Sequence, residues 1–367
     1  MIAEREIAGF VLPFTIGIIA ATILSSPYFT YSIIPAIASV LLAFASVFHL
    51  IHPLHSRWGR HTITSLIIAS ALGCGLFVGF THKLSSVCQA HDYSVIPDQI
   101  ISLGGALKSS IEKIPFKNIA TNHIISALLS GERSGISPET LSAFRESGAS
   151  HILALSGLHL GIIYGISSKL LTILGHSANA NRIRALITIT ICGIYTAATG
   201  AGASIIRALL FILVGETAKL CGRHRSLAQV LSVSLFIQLL LWTESIKDIG
   251  FQLSYAAVIG IAFIFPVLKR LWPEGRGGIM RWIWMSAAMS IACQITTAPL
   301  AYIYFGTFPQ YFILTNLLAL PLTGLIIPAG LLTIALHCLG ICPHMAIMFT
   351  ESLVGLLTDV LNIIATM

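Results

Sequence analysis

Apolar segments of about 20 residues recur along the whole sequence. As an α-helix, each is long enough to cross the hydrocarbon core of a bilayer, which is about 30 Å thick. Charged residues make up 10% of the chain, whereas ordinary soluble domains contain roughly 25%. A water-soluble globular domain is therefore excluded. The sequence predicts an all-α, polytopic helical membrane protein in contact with membrane lipid.

The positions of these segments predict about eleven transmembrane spans. They cover residues 8–25, 31–51, 62–81, 151–174, 184–200, 203–220, 226–243, 250–268, 282–301, 312–336 and 345–366. The segment at 312–336 contains Pro321 and Pro328. Because proline interrupts the helical hydrogen bonds, a broken or re-entrant helix is left open there.

The formal net charge of +7 is explained by the loops between the spans. Cytoplasmic loops of membrane proteins are enriched in Lys and Arg. When the spans alternate across the membrane, the basic loops all fall on one side. Their residues are Arg57, Arg60, Arg182, Arg184, Lys219, Arg223, Arg225, Lys269, Arg270, Arg276 and Arg281. This pattern predicts a multi-pass protein with a cytoplasmic N-terminus.

The pattern divides the chain into three parts. They are N-terminal spans at 1–81, a short extracytoplasmic segment at 82–118, and a membrane domain at 119–367. The middle segment is too short for an independent core, and we predict either a pair of short strands or an amphipathic surface helix there. Within 119–143 we predict helices at the membrane surface, one of them capped by Ser137 with Pro138 in its first turn.

The predicted span 151–174 is the most informative one. Its polar side chains are those of His151, Ser156 and His159. Gly157, Gly161 and Gly165 follow one another at four-residue spacing. A row of small residues lets a neighbouring helix approach closely, and Ser156 and His159, three residues apart, share another face. Both faces favour protein or water over lipid, so we expect this helix in the middle of the bundle.

Further polar residues lie inside the other predicted spans. They are Arg207, Gln252, Ser254, Gln294 and Asn316. Polar groups at membrane depth usually face a cavity or a partner. Taken singly, each residue either hydrogen-bonds helices together or lines a hydrated path.

Motifs for catalysis are sparse. There is no His-Glu-x-x-His zinc motif and no Gly-x-x-x-x-Gly-Lys-Ser/Thr nucleotide loop, so we expect no cofactor, no metal and no enzymatic activity. Ser156-Gly157 is similar to the serine–glycine turn of intramembrane proteases, but those enzymes bring the base from another helix. The remaining alternative is a transporter of a small-molecule or lipid-linked substrate, with Glu351 or Asp359 as a coupling group.

Several separated motifs occur in a specific order across residues 119–367. They are Ser130 to Gly135, Phe144 to His159, Thr199-Gly200 with Ser204 and Arg207-Ala208, Asp248 to Ser254, Gln294 with Pro299 and Phe305-Gly306, and Asn316 with Leu320-Pro321-Leu322. This ordered set resembles the signature of the ComEC family of competence proteins. The resemblance implies a bacterial inner-membrane channel, or channel part, for uptake of single-stranded DNA in natural transformation.

The same resemblance implies partners and two departures from the family. A cytoplasmic translocase ATPase and a periplasmic DNA receptor are expected, and a homo-oligomer is left open. Fuller members carry an oligonucleotide-binding domain where this chain has only 82–118, and many carry a C-terminal metallo-β-lactamase-like domain, which is not found before Met367. Either a separate nuclease degrades the second strand, or the chain is a fragment, or it is a reduced paralogue with another role.

Overall fold

The structure, a computed structural model, describes residues 2–23, isolated positions between 68 and 79, and residues 98–175, 177–222, 226–273, 278–306, 310–341 and 344–367. Within this part of the chain the secondary structure is helical, without strands. The predicted all-α class is therefore confirmed. The predicted span 31–51 and most of 62–81 lie outside the described residues, as do residues 82–97 of the polar segment.

The helices are numbered along the described residues. They are α1 (Ile2–Ile23), α2 (Asp98–Glu112), α3 (Ile119–Ser130), α4 (Pro138–Glu146), α5 (Ser150–Leu153), α6 (Gly157–Leu170), α7 (Ala178–Ala198), α8 (Ala203–Leu220), α9 (Leu227–Leu241), α10 (Ile249–Ile259), α11 (Phe265–Arg270), α12 (Ile279–Phe305), α13 (Phe312–Cys338) and α14 (His344–Ala365). A π-helical turn, Gly260–Ile264, joins α10 to α11. Short 3-10 turns follow α6 at Leu171–Leu174 and α9 at Thr243–Lys247.

Five stretches of the described chain are long and apolar enough to cross a membrane. They are Gly157–Leu174, Ile249–Arg270, Ile279–Phe305, Phe312–Cys338 and His344–Ala365. Each coincides with a predicted span, so the chain is a polytopic helical membrane protein. Their exposed faces carry large apolar side chains such as Phe263, Ile303 and Leu332, which suits contact with lipid.

The chain divides into two units. The first comprises Met1–Val95 and Val214–Asp248. Within it α1 packs against α9, where the rings of Phe14 and Phe236 have their centroids 4.8 Å apart. Gly75 lies directly against the backbone of Phe14, so a small residue permits a close helix contact there.

The second unit comprises Ile96–Leu213 and Ile249–Met367. Its core is built from α3, α13 and α14, with the apolar side chains of α5 packed against them. Seven consecutive or near-consecutive residues of α3 are buried, among them Ile125 and Leu128. α3 is thus covered by its neighbours within this unit. Its predicted place at the membrane surface stays a prediction.

Helix ends in this unit follow local capping chemistry. Asn118 caps α3 by accepting a hydrogen bond from the amide of Ala120, and Gly131 ends that helix with a φ of 81°. Ser137 accepts from the amide of Thr140 and precedes Pro138 at the start of α4, as predicted. Of the polar segment 82–118, residues 98–112 form α2, which packs against α7 and α3.

The long helix α13 is continuous through Pro321 and Pro328. The broken or re-entrant helix considered for this segment is therefore not observed. Each proline removes one backbone hydrogen bond. However, Ala319, Ile326 and Ile327 are fully or almost fully buried in the core, and packing on both sides holds the helix together.

Candidate functional site at a helix break

The helix predicted over 151–174 is broken in the structure. α5 ends at Leu153, the backbone is extended at Ala154 (ψ 127°), and α6 begins at Gly157. This corrects the expectation of one continuous apolar helix. The apolar pattern continues through the break, but the polar side chains at its end favour a new helix start.

Ser156 and His159 form a capping box at the start of α6. The Ser156 hydroxyl accepts a hydrogen bond from the amide of Leu158 at 3.3 Å. The Ser156 amide donates to Nδ1 of His159 at 3.2 Å. These bonds satisfy amides that a helix start leaves without partners, so the two residues are a cap rather than neighbours on one helix face.

The cap determines which ring nitrogen of neutral His159 carries the proton. Because Nδ1 accepts the Ser156 amide, the neutral ring carries its proton on Nε2. The side chain is fully buried, and Nε2 has no hydrogen-bond partner among the described residues. The Ser156 hydroxyl lies 3.1 Å from Nδ1 of the same residue. In the part of the chain that the structure describes, the hydrogen bonds of Ser156 all stay within the first turn of α6.

Arg207 of α8 lies beside the first turn of α6. A methyl group placed on Gly157 would lie 3.6 Å from Nη2 of Arg207 and 3.4 Å from Cβ of Ala208. These are ordinary van der Waals distances, so α8 is a close neighbour of α6 at Gly157. At Gly161 and Gly165 no described atom lies within 4 Å of such a methyl group, so the structure places a neighbouring helix at one of the three predicted glycines.

The Arg207 guanidinium stacks over an aromatic ring of α10. Its central carbon lies 5.6 Å from the centroid of the Tyr255 ring. The adjacent Ser254 hydroxyl accepts a hydrogen bond from Ser204 of α8 at 3.4 Å. Sequence analysis missed Tyr255, and the signal available was its place directly after the motif that ends at Ser254.

The other predicted polar residues lie elsewhere in the unit. Gln252 accepts a hydrogen bond from the hydroxyl of Tyr304 at 2.8 Å. Gln294 is half-buried in α12. Asn316 in α13 has a buried Oδ1 without a partner in the described chain, and His151 is exposed, with Nδ1 3.1 Å from the carbonyl oxygen of Gly148.

The structure thus gathers only part of the predicted set around the break. Ser156, Gly157, His159, Arg207 and Ser254 belong to one neighbourhood formed by α6, α8 and α10. Within the described residues, no hydrogen bond joins His151, Gln294 or Asn316 to that neighbourhood. We call the part formed by Ser156, Gly157, His159, Arg207 and Tyr255 the break site.

The loop between α3 and α4 is hydrogen-bonded to the end of α5. Nε of Arg133 donates to the carbonyl oxygen of Leu153 at 3.2 Å. The neighbouring Glu132 accepts from the Ser134 amide at 3.1 Å and pairs with Lys108 at 3.3 Å. Hydrogen bonds from the Ser134 side chain and amide, followed by Lys108, lower the pKa of Glu132 to about 2. The motif at 130–135 therefore has a structural role at the break.

The described residues contain no group of three or more His, Cys, Asp or Glu side chains that would hold a metal ion. The chemistry that the break site offers is hydrogen-bond donation. Among the described residues, Nε2 of His159 and Nε and Nη1 of Arg207 are buried without a hydrogen-bond partner. In the described chain no ion pair involves Arg207, and such an arrangement of donors suits a negatively charged ligand.

Comparison with known proteins gives one family and one curated relative. The model of the Competence family, described as "Competence protein", matches residues 128–367. ComE operon protein 3 of Bacillus subtilis (strain 168) is 28% identical over 220 residues, which are 58% of this chain and 26% of that protein. The aligned region thus spans about a quarter of the relative's length. No solved structure matches the chain.

Proposed function

Because the chain belongs to the competence protein family, we propose that it forms all or part of an inner-membrane channel for the uptake of single-stranded DNA. The family match covers residues 128–367 and includes the whole break site. The observation that carries the proposal is the break site. There, the start of α6 lies beside buried hydrogen-bond donors of α6 and α8.

The chemistry of the site suits a strand of phosphates. A nucleic acid strand passing a membrane needs donors for its backbone and few fixed negative charges along its path. Irregular backbone at membrane depth is tolerated where it is covered by protein or lines a cavity. A single guanidinium with a few donors holds phosphate weakly, and weak sites permit movement where tight ones would stall it.

The proposal includes an orientation and a set of partners. The N-terminus is cytoplasmic, since this puts the basic loops inside. The protein itself is not an enzyme: a cytoplasmic translocase ATPase supplies the driving force and a periplasmic DNA receptor delivers the strand. A separate nuclease degrades the second strand, and a homo-oligomer would complete the channel.

The test is entry of labelled DNA into the cytoplasm of transformable cells that lack this gene. Cells are complemented with wild type, Arg207→Ala or, as a matched helix-cap control away from the site, Ser177→Ala. The proposal expects that the deletion blocks entry while DNA still accumulates at the cell surface, that wild type and Ser177→Ala restore entry, and that Arg207→Ala does not. Unchanged entry in the deletion strain would contradict the channel function.

A further inference from the structure

Arg207 is a buried cation with unused hydrogen-bond donors. It is 5% exposed. Neither Nε nor Nη1 has a partner in the described chain, and no ion pair found there includes this residue. A guanidinium is not deprotonated in proteins, so the positive charge remains inside the helix packing.

The contacts present do not balance this charge. The ring of Tyr255, at 5.6 Å, attracts the cation, but a cation–π contact is weaker than the penalty for taking an unpaired ion out of water. A buried cation in a protein is normally paired with a negative charge. The arrangement therefore fits a protein that binds an anion at this place.

The start of α6 supplies the second part of the site. The helix has 14 residues, and Gly157 is its first. The amides of Ser156 and Leu158 are engaged in the cap, whereas the amide of Gly157 has no partner among the described residues. A helix start carries partial positive charge and free amides, and it binds phosphate groups for that reason.

The two parts meet at Gly157. Nη2 of Arg207 would lie 3.6 Å from a methyl group on that residue, so the guanidinium stands directly beside the first turn of α6. His159 acts as a positioning residue, since its ring holds the Ser156 amide and fixes the start of the helix.

We propose that Arg207 and the amide of Gly157 bind one phosphodiester phosphate of the passing DNA strand. The inference rests on the proposed channel function and adds the group that recognises the strand. A phosphodiester carries a single negative charge and two free oxygens, which match the fork of a guanidinium. The contact is made to the backbone alone, so it is independent of base sequence.

The test measures binding of a labelled single-stranded oligonucleotide to the purified full chain in phosphatidylcholine nanodiscs. A phosphodiester oligonucleotide is compared with an uncharged methylphosphonate one. We expect Arg207→Gln to weaken binding of the phosphodiester by about tenfold or more. The slope of log affinity against log salt should fall by about 0.7, the value for one phosphate contact on a single strand. Binding of the methylphosphonate should be the same for both proteins.

Arg184→Gln is the matched control. It removes the same charge from α7, where Nη1 of Arg184 donates to the carbonyl oxygen of Gly175 at 3.2 Å. Binding of the phosphodiester should remain within about twofold of wild type, since this residue is outside the break site. Thermal unfolding completes the test: Arg207→Gln should be at least as stable as wild type, because it removes an unpaired buried charge.

The outcomes separate this inference from the channel function. Equal affinity of wild type and Arg207→Gln for the phosphodiester overturns the phosphate site and leaves the channel proposal intact. If phosphatidylglycerol nanodiscs abolish the effect of Arg207→Gln, a lipid headgroup occupies the site and the inference is wrong. A marked loss of stability in Arg207→Gln would show that the Arg207 guanidinium is a structural group hydrogen-bonded to water. This result would also overturn the phosphate site. Unimpaired DNA entry in the deletion strain refutes the channel itself.

Discussion

Thr315 donates a hydrogen bond from its hydroxyl to the carbonyl oxygen of Ser147 at 2.6 Å. Both residues are fully buried. The bond joins α13 to the turn between α4 and α5, which leads directly into the helix break. No other donor reaches the Ser147 carbonyl in the described chain. This contact therefore holds the segment before the break site against the core of its unit.

Replacement of Thr315 by valine should destabilise the protein by about 1–3 kcal/mol, because a buried carbonyl loses its only partner. Thr323→Val is the matched control in the same helix. The Thr323 hydroxyl is also buried but donates to Ala319, four residues earlier, whose carbonyl already accepts the helical hydrogen bond. Its loss should change the free energy of unfolding by less than about 0.5 kcal/mol. Equal effects in detergent unfolding experiments would contradict the special role of Thr315.

Gly104 in α2 lies directly against the carbonyl oxygen of Ala198 in α7. A methyl group does not fit there, so Gly104→Ala should push the helices apart and lower the free energy of unfolding by about 1–3 kcal/mol. The neighbouring Gly105 has open space around it. Gly105→Ala should stabilise the protein by up to about 1 kcal/mol through helix propensity. Opposite signs for two adjacent substitutions in thermal unfolding are the expected result.

The hydrogen bonds of Glu132 make the loop between α3 and α4 sensitive to acid. Its pKa lies at about 2 in the folded protein, below the ordinary value of 4.5. The folded state therefore binds this proton less readily than the unfolded state, and the contribution to stability is complete above pH 4.5. It is lost as pH falls toward 2. Glu132→Gln should remove this part of the pH dependence in unfolding experiments, whereas Glu139→Gln, on α4, should leave it in place.

Much of the architecture was predictable from local patterns. The apolar segments gave the all-α class, and Ser137 followed by Pro138 gave the start of α4. The break at Ser156 was not predictable in this way, since apolar residues continue on both sides of it. A serine with a histidine three residues later is compatible with a helix face as well as with a cap, and the backbone geometry decides between them.

The sequence identified the polar site residues one by one, but it did not predict which of them lie close together in the fold. Polar residues at membrane depth identified Arg207, Ser156 and His159, yet spacing along the chain does not show which spans are neighbours. The proximity of Gly157 to Arg207 depends on how α8 packs against α6. The two prolines of α13 were misleading for a related reason: their effect on the helix was offset by packing that local sequence does not encode.

Glu351 separates the channel from the transporter alternative. Its Oε1 accepts a hydrogen bond from the amide of Asn118 at 2.8 Å, so the carboxylate lies at the start of α3. Such a position stabilises a helix by about 0.3–1 kcal/mol through its dipole. We expect Glu351→Gln to lower stability by this amount and to leave DNA entry unchanged. Asp359→Asn should change neither stability nor DNA entry, because Asp359 is exposed and has no ion pair among the described residues. A Glu351→Gln protein that folds as wild type but loses transport would instead identify a coupling carboxylate.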